Sequence, residues 1–431
     1  MAVGMTFQDI SAVLAEINKA ATGQEPTSEI IDTSSFVSVA EATLRTGYDN
    51  LLNAISQVFT RTIFAVRPYR AQMLGLEKDG SAWGNHVRKI NYFDSDPIKD
   101  TTYSLPDDGT VGTEAGGDSV DQWIVERPEV LQTNYYGQSN YARMYTQGLI
   151  QLNAAFQGPD QLAEFWSGMG THMANQIEQD RENLARMLVV NRMAGTPGAA
   201  PSAVIYLLDE YNAETGLELT ATTVFQPANF PDFARFAFAR INDVSDMLRT
   251  RTINWHQNWR ISGTRYNFMR HTPYDRQHLY LSSRIQRQIG ARVLADTFNS
   301  GMLQYRDMEL VPYWQTPEER ETVHVKPMIT SSGGQAQAMA TNVGLANIVG
   351  VLFDDDAIGY TPIDSQVLAT PVNARSRYVN FWYHYGWRWY NDFTENAVLF
   401  LLTSADVTVP AGSEAASLKS SSIKEAEPAA K

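Results

Sequence analysis

A chain of 431 residues, 43% of them apolar, can bury a sizeable core and is longer than most single compact units, so two packed modules or one with long excursions is expected. A formal net charge of -14 argues against a protein that coats nucleic acid, because phosphate binding runs on Lys and Arg, and the lack of cysteine excludes disulfide frameworks and thiolate zinc sites. No apolar run approaches the ~20 residues of a membrane helix, and "MAVGMTFQDI" lacks the basic-then-apolar order of a signal peptide, so synthesis and use in a cytoplasm are expected.

In chain order, residues 6–20 form an amphipathic helix with Phe7, Ile10, Val13, Leu14 and Ile17 on one face, and Thr6 with Asp9 resembles a capping box. So short a helix needs something to pack on, either its own chain or another subunit. A polar, turn-rich stretch, "GQEPTSEIIDTSS", follows, then a helix over 48–59 and a strand over 62–66. Between the strand-like "VRKINYF" and "VDQWIVERPEV" lie 26 residues rich in Gly, Asp, Ser, Thr and Pro. Loops of that length are rare inside compact domains. Two strands flanking a long polar tip describe a projecting hairpin over 87–136, stabilised by a partner.

Gly158-Pro159 opens the strongest helical signal, 159–194, with Gly195 and Pro197 as its expected stop. Leu162, Phe165, Trp166, Met169, Met173, Ile177, Leu184, Met187, Leu188 and Asn191 make its apolar stripe. At 1.5 Å per residue it would run about 50 Å, lying along a sheet or another element. A further helix starts near Pro231, carrying Phe233, Phe236, Ala237, Ile241, Val244 and Leu248. "NWRIS", "HLYLS", "MELVPYW", "GVLFDD" and "ENAVLFLLTS" read as strands, "SRIQRQIGARVLADTFN" as a helix, and "SSGGQAQAMATN" as a connection. Strands mixed with helices in no βαβ rhythm argue an α+β fold. The final 27 residues are low in bulky apolar groups and read as a polar, disordered tail.

Few patterns carry chemistry. The seven histidines show no ligand spacing, and neither a GxSxG elbow nor a GxxxxGK[ST] loop occurs. "GTVGTEAGG" lacks the lysine and following helix of a phosphate cradle and fits a flexible hairpin tip. "FDDDAIG" (353–359) lacks the later ligands of a calcium loop and reads as a solvated turn. "RTRTINWHQNWR" mixes Arg with Trp as nucleic-acid binders do, against the charge of the whole chain. Glu126 and Glu129 flank Arg127 on the second hairpin strand, where they suit salt bridges to a neighbour better than an acid–base pair.

In "YVNFWYHYGWRWYNDF" (378–393), nine of sixteen residues are aromatic. With period two, Val379, Phe381, Tyr383, Tyr385, Trp387 and Trp389 share a wholly apolar face. Tyr378, Asn380, Trp382, His384, Gly386, Arg388 and Tyr390 make the mixed one. A buried strand packed on helix 159–194 explains the first face, at ~25 cal/mol per Å² of apolar area removed from water. The competing reading is a carbohydrate-binding module or enzyme presenting Tyr378, Trp382 and Tyr390. Trp382, His384 and Arg388 are the candidates left to meet a neighbouring subunit.

The order of these pieces resembles the major capsid proteins of tailed double-stranded DNA phages, with the Johnson or Hong Kong 97-type fold. "HLYLSSRIQRQIGARVLADTFN", "VLFDDDAIGY" and "RSRYVNFWYHYGWRWYNDFTENAVLFLL" carry the resemblance, the last being similar to shells of short-tailed, phi-twenty-nine-like phages. It implies an N-terminal arm (1–46), an extended loop (87–136) and a peripheral domain (47–86, 137–250 and 370–392) with 159–194 as spine helix. An axial domain (251–369 and 393–404) and the polar tail (405–431) complete it. It further implies a non-enzymatic protein without cofactor or metal, which assembles as pentamers and hexamers into an icosahedral shell. Its partners would be other copies of itself, a portal, and scaffold or decoration proteins. The shell would enclose DNA without reading its sequence, touch no membrane, and assemble in the host cytoplasm into a virion. Lys99, Asp107, Asp108, Glu126, Arg127 and Glu129 of the loop join Trp382, His384 and Arg388 as candidate inter-subunit contacts. Another virion structural protein, outside the shell, is the second alternative. Some of the similar short-tailed shells carry an Ig-like domain after the last strand, whereas only the polar tail is expected here, and no cross-linking Lys–Asn pair can be assigned.

Overall fold

Two strands built as unbroken apolar runs, Ile348–Asp354 and Ala397–Leu401, are buried at every residue. Such runs, instead of alternation, mark strands covered on both faces. They form the middle of a five-stranded mixed sheet ordered Val204–Tyr206, Ala397–Leu401, Ile348–Asp354, Gln277–Ser282, Met308–Val311. Outer pairs are parallel and inner pairs antiparallel. On one face Tyr280, Val351, Phe353 and Leu399 join a core that includes the long helix. On the other, Leu279, Leu281, Leu352 and Phe400 pack with helices Leu207–Thr215, Phe230–Leu248 and Ser283–Arg292. The α+β class is therefore the observed one. The computed structural model describes residues 7–24, 26, 30–46, 54, 71, 73–78, 87–92, 130–261, 264–292, 308–330, 336–338 and 342–408. The expected elements at 48–59 and 62–66 lie outside these, apart from Ala54, as does Thr6 of the first expected cap.

The long helix is Pro159–Ala199, 41 residues, and runs past its expected stop. Pro197 sits in the last turn, so its missing N–H deprives the helix only of a bond to the Met193 carbonyl. Thr196 Oγ1 donates to the Arg192 carbonyl at 2.7 Å and Ala200 N to the Thr196 carbonyl at 2.8 Å, closing the end. Gly195 is a packing glycine and not a cap: a Cβ there would lie 2.4 Å from the Phe393 ring. The single apolar stripe is also corrected. Met187 is exposed, whereas Glu178, Arg181, Glu182, Arg186 and Arg192 are buried with Ala185, Val189, Val190 and Met193. Those charges are met within the helix and beyond it: Arg181 bonds Tyr360 Oη at 3.1 Å, and Arg186 bonds Glu182 one turn away at 2.7 Å and lies over the Tyr313 ring.

The first helix is Phe7–Thr22, with Ile10, Leu14 and Ile17 buried in the long helix's core and Phe7 at its exposed end. A second arm helix, Thr33–Leu44, occupies what reads in sequence as the end of a polar turn. A capping box of Asp32 and Ser35 starts it, and Asn18 Nδ2 donates to Thr43 Oγ1 at 2.8 Å between the two helices. Met328–Thr330 pairs with Ala336–Ala338 inside the expected connection, and Val407–Thr408 pairs with Gly344–Leu345 where the tail was expected to begin. Residues 409–431 lie outside the described residues.

A Gly195→Ala substitution is expected to destabilise the subunit. The ~1 kcal/mol alanine gains in helix propensity is outweighed by about 1–3 kcal/mol of overpacking against Phe393. Denaturant unfolding measures the balance, and a net gain would show that the Phe393 contact yields.

Candidate inter-subunit surface

The aromatic strand, Tyr378–Asn391, is the centre of a three-stranded antiparallel sheet between Ile358–Ala369 and Gly137–Gly148. Val379, Phe381, Tyr383, Tyr385 and Trp387 are buried and Trp389 is half-buried, so the inner face is core. The Tyr385 hydroxyl donates to Asp180 of the long helix and accepts from Arg143 Nε at 2.8 Å, while Arg143 Nη2 bonds Asp180 at 2.6 Å. Asn391 Nδ2 donates to the Leu188 carbonyl at 2.9 Å. The expected attachment of this strand to the long helix is thus the observed one. Of the three rings a carbohydrate module would present, Trp382 alone is exposed, and Tyr378 and Tyr390 are half-buried.

Directly opposed residues of an antiparallel pair share a face. Trp382 is opposed by Met144 on one side and Leu368 on the other. All three are exposed, at 36, 53 and 47%, forming an apolar rung across the outer face. The next rungs hold Ala142, His384 and Gln366, then Asn140, Gly386 and Ile363 with a bulge beside them, then Gln138, Arg388 and Thr361. Gly386 is required here, since a Cβ would lie 2.6 Å from Asn140 Oδ1. The structure therefore brings Trp382, His384 and Arg388 onto one face, open at Trp382 and His384 and half-covered at Arg388, where Thr361 is buried. Lys99, Asp107, Asp108, Glu126, Arg127 and Glu129 lie outside the described residues. Met144 and Leu368 escaped sequence reasoning because their strands did. "GQSNYARMYTQG" is polar, and Pro362 interrupts the other strand, a position open to proline because that strand is an edge.

The hairpin stem pairs Val87–Tyr92, the expected first strand, with Val130–Tyr135, which begins where the expected second strand 120–130 ends, and residues 120–129 lie outside the described residues. Its outer face exposes Ile90, Tyr92 and Val130. Its inner face is held by the turn 392–396, which joins the aromatic strand to the last core strand. Lys89 Nζ bonds the carboxylates of Asp392 and Glu395. Arg192, 1% exposed, donates to the Asp392 carbonyl at 2.5 Å and the Glu395 carbonyl at 2.6 Å and lies over Phe393. Arg270 donates to the Thr394 carbonyl at 3.2 Å and to Asn91 Oδ1 at 2.5 Å. His256 donates from Nε2 to the Phe268 carbonyl at 2.7 Å, with Nδ1 2.9 Å from the Asn396 amide.

Burial disfavours every charge here. It lowers the Arg192 guanidinium to about 10, which leaves it charged at neutral pH. It opposes ionisation of Asp392, but Lys89 and the Thr394 donors outweigh it and hold that carboxyl at about 2. It raises Glu395, partly offset by Lys89 and Arg270. It pushes the His256 imidazole down to about 4. The "FDDDAIG" turn is solvated only in part: Asp356 is exposed, whereas Asp354 is buried and accepts from Thr272 Oγ1 at 2.8 Å. Asp355 meets His278 at 2.8 Å and also Lys78, which drive its carboxyl below the usual range, and Asp356 pairs with Arg276. Among the described residues, no group of three His, Asp or Glu side chains is placed to hold a metal ion, and no helix is long and apolar enough to cross a membrane.

A family model described as Phi29-like phage major capsid protein matches residues 94–401. No curated protein matches the chain. Among solved structures, it is similar to a chain in the head fiber and inner core protein gp22 structure of native bacteriophage P68, with 10% identity over 78% of this chain and 86% of that one, at a TM-score of 0.48. For the capsid of Staphylococcus phage Andhra the values are 9%, 78%, 85% and 0.44. For the capsid of Cyanophage P-SCSP1u they are 11%, 78%, 90% and 0.40.

Two outcomes follow from the two faces and the buried turn. Phe381→Ala is expected to cost about 3–5 kcal/mol of subunit stability, and the adjacent Trp382→Ala less than about 1 kcal/mol, both read by urea unfolding. The unfolded chain binds more protons at His256 between its ordinary value of 6.5 and about 4, so stability falls with pH through that window. The loss from pH 7 to 5 is about 2 kcal/mol, and it should vanish in His256→Gln. Asp392 adds a second loss as pH falls from 3.8 toward about 2.

Proposed function

The chain belongs to the Phi29-like phage major capsid protein family, and we propose on that premise that its copies assemble as pentamers and hexamers into an icosahedral shell around a double-stranded DNA genome. The role is structural: a shell-forming major capsid protein, located in the virion. The single observation that carries it is the family match across residues 94–401. The rest is consistent with a container. A net charge of -14 keeps DNA from adhering to the wall. A subunit in a closed shell needs broad, repeated contact surfaces more than an active site.

In the Hong Kong 97-type arrangement we assign Pro159–Ala199 as the spine helix, with the three-stranded aromatic sheet forming the peripheral domain on it. The five-stranded sheet becomes the axial domain. On sheet membership we assign 204–248 to the axial domain and 358–369 to the peripheral one, in place of the peripheral 137–250 and axial 251–369 expected from sequence. We assign residues 93–129, outside the described residues, to the extended loop that would reach over a neighbour. Lys99, Asp107, Asp108, Glu126, Arg127 and Glu129 on that loop, and Trp382, His384 and Arg388 on the sheet, are assigned to subunit contacts. A portal and scaffold or decoration proteins complete the partner set, with assembly in the host cytoplasm.

Electron microscopy of the recombinant protein, with and without a scaffold protein, tests this reading. Closed shells are expected. A stable monomer, or only small rings or fibres, would overturn it. Deleting residues 100–118 should leave a folded, soluble subunit that assembles poorly, and a subunit unfolded by that deletion would place the segment in the core.

A further inference from the structure

Where the stem turns into the aromatic sheet, a cavity of about 410 Å³ opens between the stem, the long helix and the Met328 hairpin. Tyr135, Tyr136, Trp389, Tyr390 and Met328 supply rings and a thioether, and Asn134, Gln138, Asn191 and Asn391 supply amides. The lining holds no charged side chain, although the chain as a whole carries -14. We propose that this cavity is a socket for a neutral, hydrogen-bond-donating side chain of a second copy of this chain.

Three observations support this. Asn391 is 7% exposed, and its Nδ2 is used by the Leu188 carbonyl, but its buried Oδ1 has no hydrogen-bond partner. A buried acceptor left unsatisfied costs about 1–3 kcal/mol, and a donor that reached Oδ1, with the Asn391 side chain turned toward the cavity it lines, would recover that cost. By contrast, Asn191 uses both ends of its amide within the chain, donating to the Met328 carbonyl at 3.1 Å and accepting from Met328 N at 2.7 Å, so it shapes the wall. The rim also belongs to exposed surface on both sides. Tyr136 is 67% exposed, the stem shows Ile90, Tyr92 and Val130, and Gln138 lies on the outer face of the sheet. Finally, two copies at -14 repel over most of their surfaces, and a charge-free socket is where they can close without desolvating like charges. Cavities of roughly 300–1,000 Å³ suit compact ligands, and this one takes one or two side chains.

The inference rests on the shell-forming reading, and the test separates the two. Because the chain has no cysteine, Tyr136→Cys creates a unique thiol at the rim. Doped as a minor fraction into wild-type protein, it should react with a maleimide at least about tenfold more slowly in particles than in free subunits, as a water-excluding contact requires. Gln138→Trp fills the mouth from an outward strand position. It should leave the melting temperature of the free subunit nearly unchanged while reducing particle yield about tenfold or more. Equal thiol reactivity in particles and subunits, including equal protection by a small molecule already bound in both, overturns the socket. So do particles of Gln138→Trp at wild-type yield. Wild-type protein that forms no particles overturns the shell reading, and the socket with it.

Discussion

Arg192 carries its charge at a site that is 1% exposed, and it gives that charge to the backbone of a turn instead of to a carboxylate. The carbonyls of Asp392 and Glu395 take its donors, and the two carboxylates take Lys89. Four distant segments meet there: the long helix, the first stem strand, the stretch around Arg270 and His256, and the link between the two sheets. A buried ion pair adds little net stability by itself, but removing one partner leaves an unpaired charge and costs roughly 3–5 kcal/mol. The turn therefore acts as a constraint on arrangement. It fixes the stem to the core through Lys89 and Asn91, and so sets the direction from which the chain leaves toward residue 93.

From that constraint the division of surfaces follows. The five-stranded sheet is covered on both sides, and its two cores hold most of the bulky apolar residues. The three-stranded sheet has its inner face pinned to the long helix by Tyr385 and Asp180, leaving the outer face open. The apolar rung of Met144, Trp382 and Leu368 and the apolar stem lie on surfaces this chain does not cover with its own described residues. A subunit of a repeating shell has that economy: a rigid interior that any copy reproduces, and open faces whose partner is another copy.

Legibility in sequence tracked burial. The runs at 348–354 and 397–401 and the aromatic alternation at 378–391 were readable because one or both faces meet apolar core. The period-two reading also placed Trp382, His384 and Arg388 together correctly. Strands 137–148 and 358–369 were not readable: the first is an edge strand whose outer side chains face water, and the second is an edge strand interrupted by Pro362 and, among its described side chains, exposed outward only at Gln366 and Leu368. Helix Thr33–Leu44 went unread because its first turn, TSS, closes a polar stretch, and its start is visible only through the Asp32–Ser35 cap. Gly195 and Pro197 carried a stop signal that packing overrode, because Phe393 and Arg192 hold the helix beyond it.

By itself, then, the sequence determined the α+β class, the long helix, the buried strands and which side of the aromatic strand is core, because hydrophobic period is a local property of the chain. The tertiary structure alone decided which residues flank Trp382, how a buried guanidinium is satisfied, and where the neutral cavity opens. Those depend on strand register and on contacts between segments such as Arg192 and Glu395, 203 positions apart. Local pattern carries no information about such pairings, because their free energy exists only once the chain has brought both partners out of water together.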